Sequence, residues 1–288
     1  MRQAGTEPNA TLHNTSEQLS LRTALLLCPH EAKAAFDIEM RKMDAFGTFE
    51  TLSDERQRLI RRDAYHKQAT LLRSKVFVKV KRDAAGKFIK VSARLVAGGD
   101  QQPDSTIGAT YAPSAHDSSR IGMAFALYAD AASRGTTGDI QKMSLDITAA
   151  YLYVDCKEGA DLYVQLPDNI PHSLAGQIVR LKKQLYGTRE ANRGFYFHLT
   201  AALDRAGFEP ITTEPCIYRL KNALPNQRAF VNTVVDDLYA MAESTERPAP
   251  ALVRLHDELK RTYIRTALQS TLTLSTTLVS RLRQPTPH

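Results

Sequence analysis

Apolar residues recur along this chain at two different periods. From Glu31 to Gly47, Phe36, Met40 and Met43 fall at helical spacing with Asp37, Glu39, Arg41 and Lys42 between them, and Gly47 follows as a stop. One amphipathic helix is predicted there. The period then shortens to two. Val76, Val78 and Val80 alternate with polar residues, the turn sequence DAAG follows, and a second β-rich run extends from Phe88 to Val96. This is the pattern of a β-hairpin.

Farther on, SSRIGMAFALYADAASRG places Ile121, Phe125 and Tyr128 on one helical face, with Ser118 or Ser119 available as a cap. The segment QKMSLDITAAYLYVD is β-rich up to Asp146 and alanine-rich after it. DLYVQLP and IVRLKKQLYG predict two short strands, and REANRGFYFHLTAALDRAGF a helix with Phe195, Leu199, Ala202, Leu203 and Ala206 inward and Gly207 as its stop. CIYRLK and RAFVNTVVDDLYAMA complete the strands. The order α-β-β-α-β-β-β-α-β-β predicts an α+β fold with a mixed sheet and packed helices. After Ala240 a linker-like ESTERPAPA is followed by one short helix through Leu252, Leu255 and Leu259. Residues 1–29 are rich in Thr, Ser, Asn and Gln without a sustained period and are expected to be a disordered lead-in. The resulting division is 1–29 lead-in, 30–243 folded domain, and 244–288 a divergent tail, partly helical or disordered.

Composition narrows the function classes. With 288 residues and 43% hydrophobic content the chain can bury a core, and its formal net charge of +7 favours an anionic partner. Cys28, Cys156 and Cys216 are far apart and form no metal-knuckle or disulfide spacing, so they read as reduced intracellular thiols. The polar amino terminus suggests neither a secretory leader nor a membrane span. The charge is uneven: Lys75, Lys79, Lys81, Arg82, Lys87, Lys90 and Arg94 all fall on the single hairpin. Two explanations stand side by side, an edge hairpin guarded by lysines against aggregation and a surface that contacts phosphates.

The candidate chemistry is acidic. Asp236 and Asp237 lie where AFVNTVV and LYAMA meet, and aspartate is poor within strands but good in turns, so the pair is predicted at a hairpin tip. Alone, an Asp-Asp turn is structural. Asp146 in MSLDITAAYL also ends a strand, where its simplest role is to cap a following helix. Taken together, two strand-end carboxylate sites can converge on one sheet edge. There they can hold two divalent ions about 3.5 to 4 Å apart, the arrangement used for in-line nucleotidyl transfer.

The blocks SARLVAGGDQQ, TYAPSAHDSSRIGMAFALYA, SLDITAAYL, VRLKKQLYGTREANRGFYFHL, GFEPITTEPCIYRLK and VVDDLYAM resemble, in the same order, those of the reverse transcriptase domain of Ty1/copia-type retrotransposon polyproteins. HEAKAAFDIEMRKMDAFGTFETL is similar to the segment that precedes that domain, so the likeness covers roughly residues 30–243. It implies a polymerase right hand with fingers and palm, and a fragment or degenerate copy in which thumb and ribonuclease H are missing. It implies Asp146, Asp236 and Asp237 as catalytic residues and metal ligands. For binding the incoming deoxynucleoside triphosphate it implies Arg94, Tyr151 and Ile147, with Arg94 on the phosphates and Tyr151 beneath the sugar. The basic hairpin itself, apart from the resemblance, makes Lys79, Lys81 and Arg82 the candidate nucleic-acid contacts. The implied cofactor is Mg²⁺, two ions, with Mn²⁺ as a substitute. The implied partners are an RNA template, a DNA primer, and a second copy or companion polyprotein segments, with no membrane. The implied setting is a cytoplasmic particle with access to the nucleus.

The chain departs from the family pattern at several positions. Val234 stands where a tyrosine is usual, Ser92 and Gly98 replace lysines, and Glu190 occupies a glutamine position facing the nucleotide. A competing reading follows, a non-catalytic remnant that binds RNA or DNA through residues 75–94. Another two-metal palm enzyme, such as a nucleotide cyclase, is a weaker third, since the basic hairpin before Asp146 argues against it.

Overall fold

The computed structural model describes residues 15–102, 139–157, 161–224 and 226–263, with parts of a helical stretch between 122 and 129. In chain order the elements begin with β1 (Thr15–Ser20), α1 (Leu21–Leu27), α2 (Pro29–Ala45), β2 (Phe49–Thr51), α3 (Asp54–Tyr65), β3 (Thr70–Arg82), β4 (Phe88–Ala97) and β5 (Asp139–Asp146). They continue with β6 (Leu162–Gln165), β7 (Ile178–Leu181), α4 (Ala191–Arg205), β8 (Phe208–Ile211), β9 (Glu214–Leu220), β10 (Ala229–Val234), β11 (Asp237–Ser244) and α5 (Pro250–Tyr263). The α+β class expected from the sequence is observed. None of the described helices is long and apolar enough to cross a membrane.

The chain divides into two units. The first joins the residues up to Gln102 with Lys157–Thr188, and the second joins Pro103–Cys156 with the residues from Arg189 onward. In the first unit the strand order is β1-β3-β6-β7-β2, with β4 also paired to β3. Strand β3 holds this sheet together because it is long enough to serve several partners. Its start runs parallel to β6, while its remainder pairs antiparallel with both β4 and β1. The expected alternation is present: Val76, Val78 and Val80 are buried, as are Ala93, Leu95 and Ala97 of β4, against which α2 packs. Helix α2 buries Phe36, Met40 and Met43 as predicted. It ends in a Schellman motif, Gly47 (φ +59°) donating to Asp44 O and Thr48 N–H to Met43 O, each at 2.9 Å.

The second unit is an antiparallel sheet in the order β5-β11-β10-β9-β8. Helices α4 and α5 cover one face, burying Phe195, Leu199 and Leu203 with Leu252, Leu255, Leu259 and Tyr263 in one core with sheet residues Leu145, Val231 and Leu238. Glu258 of α5 receives hydrogen bonds from Arg205 Nε of α4 at 2.6 Å and from Thr262 Oγ1 at 3.0 Å.

Three expectations need correcting. Residues 15–27, assigned to a disordered lead-in, form β1 and α1, because β1 supplies a strand to the open side of β3 and Ser20 caps α1 through the amide of Thr23. The segment 54–65, given no element by its pattern, is α3; it is highly polar and buries only Gln57 and Ile60. The alanine-rich run after Asp146 makes a single 3₁₀ turn, Ala150–Tyr153, entered through Ala149 at φ +60°. Of the helix expected near 118–128, residues 122–124, 126, 127 and 129 are described as helical, whereas Ser118, Ser119, Ile121, Phe125 and Tyr128 lie outside the described residues.

Candidate active site

Strands β10 and β11 form a hairpin in which Val234 pairs with Asp237, leaving Val235 and Asp236 as a two-residue turn. Such turns need a positive φ at a central position, and Val235 supplies it at +56°. For a β-branched residue that conformation is costly, so the surrounding sheet must impose it. The turn places Asp236 at the tip and Asp237 at the first position of β11, as the sequence predicted.

The neighbouring strand decides what the tip faces. Strand β5 pairs with β11 over eight residues from Ser244↔Asp139 to Asp237↔Asp146, so Asp146 lies directly across from Asp237. Directly opposed residues project to the same face with Cβ atoms about 4.5–5.5 Å apart, and two like charges so placed repel. Beyond the ladder, Ile147 N–H donates to Asp236 O at 3.0 Å, tying the end of β5 to the turn. Asp146 and Asp237 are exposed and Asp236 is half-buried. Carboxylate oxygens are the donors that a hard divalent cation takes, and the Asp146–Asp237 pairing fits one in placement. Among the described residues, however, no group of three His, Cys, Asp or Glu side chains is gathered closely enough to hold a metal ion. The backbone assembles the three aspartates at one strand end, and the side chains as they stand do not close into a cage.

The remaining candidates take different positions. Tyr151 is half-buried on the 3₁₀ turn, its ring edge-to-face on Phe195 of α4 with centroids 6.2 Å apart. Ile147 is fully buried in the core of the second unit and its amide is used by Asp236, so its side chain presents nothing to a ligand. Glu190 precedes α4 and accepts the Gly194 amide through its backbone carbonyl, its own side chain making no cap.

In the first unit, one face of the β1-β3-β4 ribbon carries the cations. Register aligns Ser16, Lys81 and Lys90 in one row, Gln18, Lys79 and Ser92 in the next, and Ser20, Phe77 and Arg94 in a third. Lys75, Lys79, Lys81, Lys90 and Arg94 are all exposed there, and among the described residues none of the five is ion-paired. At the base of the hairpin a cleft of about 320 Å³ opens between Arg73, Lys75, Phe77, Gly98 and Gln101. Arg82 does not join this face. Strand alternation puts it on the face of Val78 and Val80, and its guanidinium lies 4.0 Å over Phe88 and donates to Gly86 O at 3.1 Å. The hairpin's own turn therefore occupies Arg82, while Lys79 and Lys81 remain open.

Pattern reading missed Tyr186 as the partner of Arg94. The guanidinium of Arg94 is 4.9 Å from the Tyr186 ring centroid. The two residues are 92 positions apart in the chain, and the only sequence signal was the LYG triplet itself.

Comparison with known proteins matches a family model described as reverse transcriptase (RNA-dependent DNA polymerase) over residues 64–264. The chain is also similar to the Ty1-GR1 and Ty1-BL transposon Gag-Pol polyproteins of Saccharomyces cerevisiae, at 28% identity over 185 residues in each case. That alignment covers 64% of this chain and 9% of each polyprotein. The Ty1-DR4 Gag-Pol polyprotein of the same yeast is 28% identical over 166 residues, 57% of this chain. The family match passes the point, Glu243, at which the block resemblance was expected to fade, and it takes in α5, whose apolar face belongs to the core of the second unit.

Proposed function

The chain belongs to the reverse transcriptase (RNA-dependent DNA polymerase) family, and from that premise we propose that it carries the nucleotidyl-transfer palm of a Ty1/copia-type polymerase. Asp146, Asp236 and Asp237 are its metal ligands in this reading. The observation that supports it best is the β5–β11 register, which opposes Asp146 and Asp237 beside the two-residue turn holding Asp236. Two opposed carboxylates repel, and a divalent cation between them would turn that repulsion into attraction. Bound Mg²⁺ would lower the pKa of the primer hydroxyl and neutralise the departing pyrophosphate.

The protein's own groups do the rest. Tyr151, held edge-on by Phe195, supplies a flat wall beneath a sugar, where a 2′-hydroxyl would meet it. Arg94 presents forked donors suited to a triphosphate, and Lys79 and Lys81 present exposed charge to a nucleic-acid backbone. Template RNA, primer DNA and deoxynucleoside triphosphates are the corresponding partners, in the setting of a Gag-Pol polyprotein. Glu190 opposes this chemistry, since a carboxylate near a triphosphate raises the dissociation constant unless a cation offsets it. The test is template-directed primer extension. Extension by the wild-type chain in Mg²⁺ or Mn²⁺ is expected, with its loss in Asp236→Asn. A wild-type chain inactive with both ions would sink the catalytic reading.

A second reading, a non-catalytic nucleic-acid-binding remnant, draws on two observations. The five cations of the β1-β3-β4 face are unpaired among the described residues, and the three aspartates do not close into a metal cage. It is separated from the first by binding that survives Asp146→Ala in a chain that extends no primer.

A further inference from the structure

Strand β4 is paired to β3 along one edge, and its other edge is met by two contacts within the first unit. Leu95 N–H donates to the buried Glu39 Oε1 at 3.2 Å, and Ala97 N–H donates to Tyr186 O at 2.8 Å. Arg94 immediately precedes the anchored Leu95 and pairs with Phe77 in the register, with its side chain exposed. The residue that accepts from Ala97 through its carbonyl also places its ring 4.9 Å from the Arg94 guanidinium carbon. The next residue, Gly187, has φ +89°, and a Cβ there would lie 2.1 Å from Ala97 O. Only glycine lets the chain come this close to the strand that carries Arg94.

We propose that Tyr186 and Gly187 form a seat for Arg94, as positioning residues for a triphosphate contact. The inference rests on the reading of Arg94 as a phosphate ligand. Its physical reason is conformational. An exposed arginine samples many rotamers, and ordering it at the moment of binding weakens affinity. A ring against the flat face of the guanidinium narrows that set beforehand and leaves the N–H edge free to donate in a forked, bidentate geometry. The backbone bond to Ala97 fixes the ring relative to β4, and Gly187 makes the approach sterically possible. A lysine at position 94 would not be held this way, because an ammonium has no flat face to stack.

The experiment is a titration of the full-length chain, loaded with template and primer, with dTTP and Mg²⁺. It compares Tyr186→Phe, Tyr186→Leu, Arg94→Ala and the Tyr186→Leu/Arg94→Ala double variant. Phenylalanine keeps the ring; leucine keeps bulk and the backbone bond but removes the π face. Tyr186→Phe is expected to bind dTTP as the wild type does. Tyr186→Leu should weaken binding roughly two- to five-fold, the worth of an exposed cation–π contact, with template–primer affinity and melting temperature unchanged. Arg94→Ala should weaken it further, and adding Tyr186→Leu to it should change nothing more, because the coupling runs through the arginine. Two results overturn the proposal while leaving the nucleotide reading intact: Tyr186→Leu binding normally when Arg94→Ala does not, or the two effects adding in full. If Arg94→Ala binds dTTP normally, or the wild type does not bind it at all, the phosphate reading itself fails and the seat fails with it.

Discussion

Asp146 and Asp237 face each other across the β5–β11 ladder, and under the proposed two-metal reading that single pairing would decide how the site responds to metal. Without a cation two opposed carboxylates repel, and the cost of a like-charge cross-strand pair is about 0.2–1 kcal/mol. Asp146→Asn removes the repulsion. Under the proposed reading Mg²⁺ should raise the melting temperature of the wild type and leave that of Asp146→Asn unchanged. An equal Mg²⁺ response in both would show that Asp146 is not a ligand. At this scale the sequence was informative about residue identity, since turn chemistry put Asp236 and Asp237 at a tip without any structure. It could not say that Asp146 opposes Asp237 and not Asp236, because one residue of register changes the partner and the face. The same limit hid the contact of Tyr186 with Arg94.

Helix α5 shows how an element acquires its role. Its pattern is plainly amphipathic, and the sequence assigned it Leu252, Leu255 and Leu259 correctly. Only the structure showed that this stripe closes the core beneath the sheet of the second unit, together with Phe195 and Leu199 of α4. The α4–α5 contact is fixed at its rim by Glu258. Burial would raise that carboxyl's pKa, but hydrogen bonds from Arg261, Arg205 and Thr262 outweigh it and hold the pKa below the usual carboxylate range. A carboxyl whose folded pKa is depressed adds stability that is fully present above its unfolded pKa, about 4.3, and is lost as pH falls through the folded value. Glu258→Gln should therefore be less stable than the wild type at neutral pH, with the difference shrinking below roughly pH 4.3. Urea unfolding across that range measures it; a difference constant with pH would assign the contact to packing alone. Helix α3 is the converse case. Its sequence is too polar to display a period, and its two buried residues hold it against the first unit: Gln57 accepts from Ile178 N–H at 2.9 Å and Ile60 packs with Tyr163 and Ile178.

For the molecule as a whole the excess of 38 basic over 31 acidic residues is modest, yet five of the cations share one exposed face of the β1-β3-β4 ribbon. Binding to a single-stranded oligonucleotide should fall with salt with a slope of about −0.7 per phosphate contact. Lys79→Glu/Lys81→Glu/Lys90→Glu should weaken binding and flatten that slope by about 2, read by fluorescence anisotropy over a salt series. A slope unchanged by the three reversals would move the nucleic-acid surface elsewhere. By itself the sequence determined the class of the fold, the helix and strand periods, the acidic turn and the basic hairpin, because these follow from local spacing and from the conformations that glycine, aspartate and β-branched residues prefer. The tertiary structure alone decided that β1 completes the basic face, that α5 belongs to the core, that Asp146 meets Asp237, and that Tyr186 lies against Arg94. Each of these depends on strand register and on contacts between residues tens of positions apart, which no local pattern encodes.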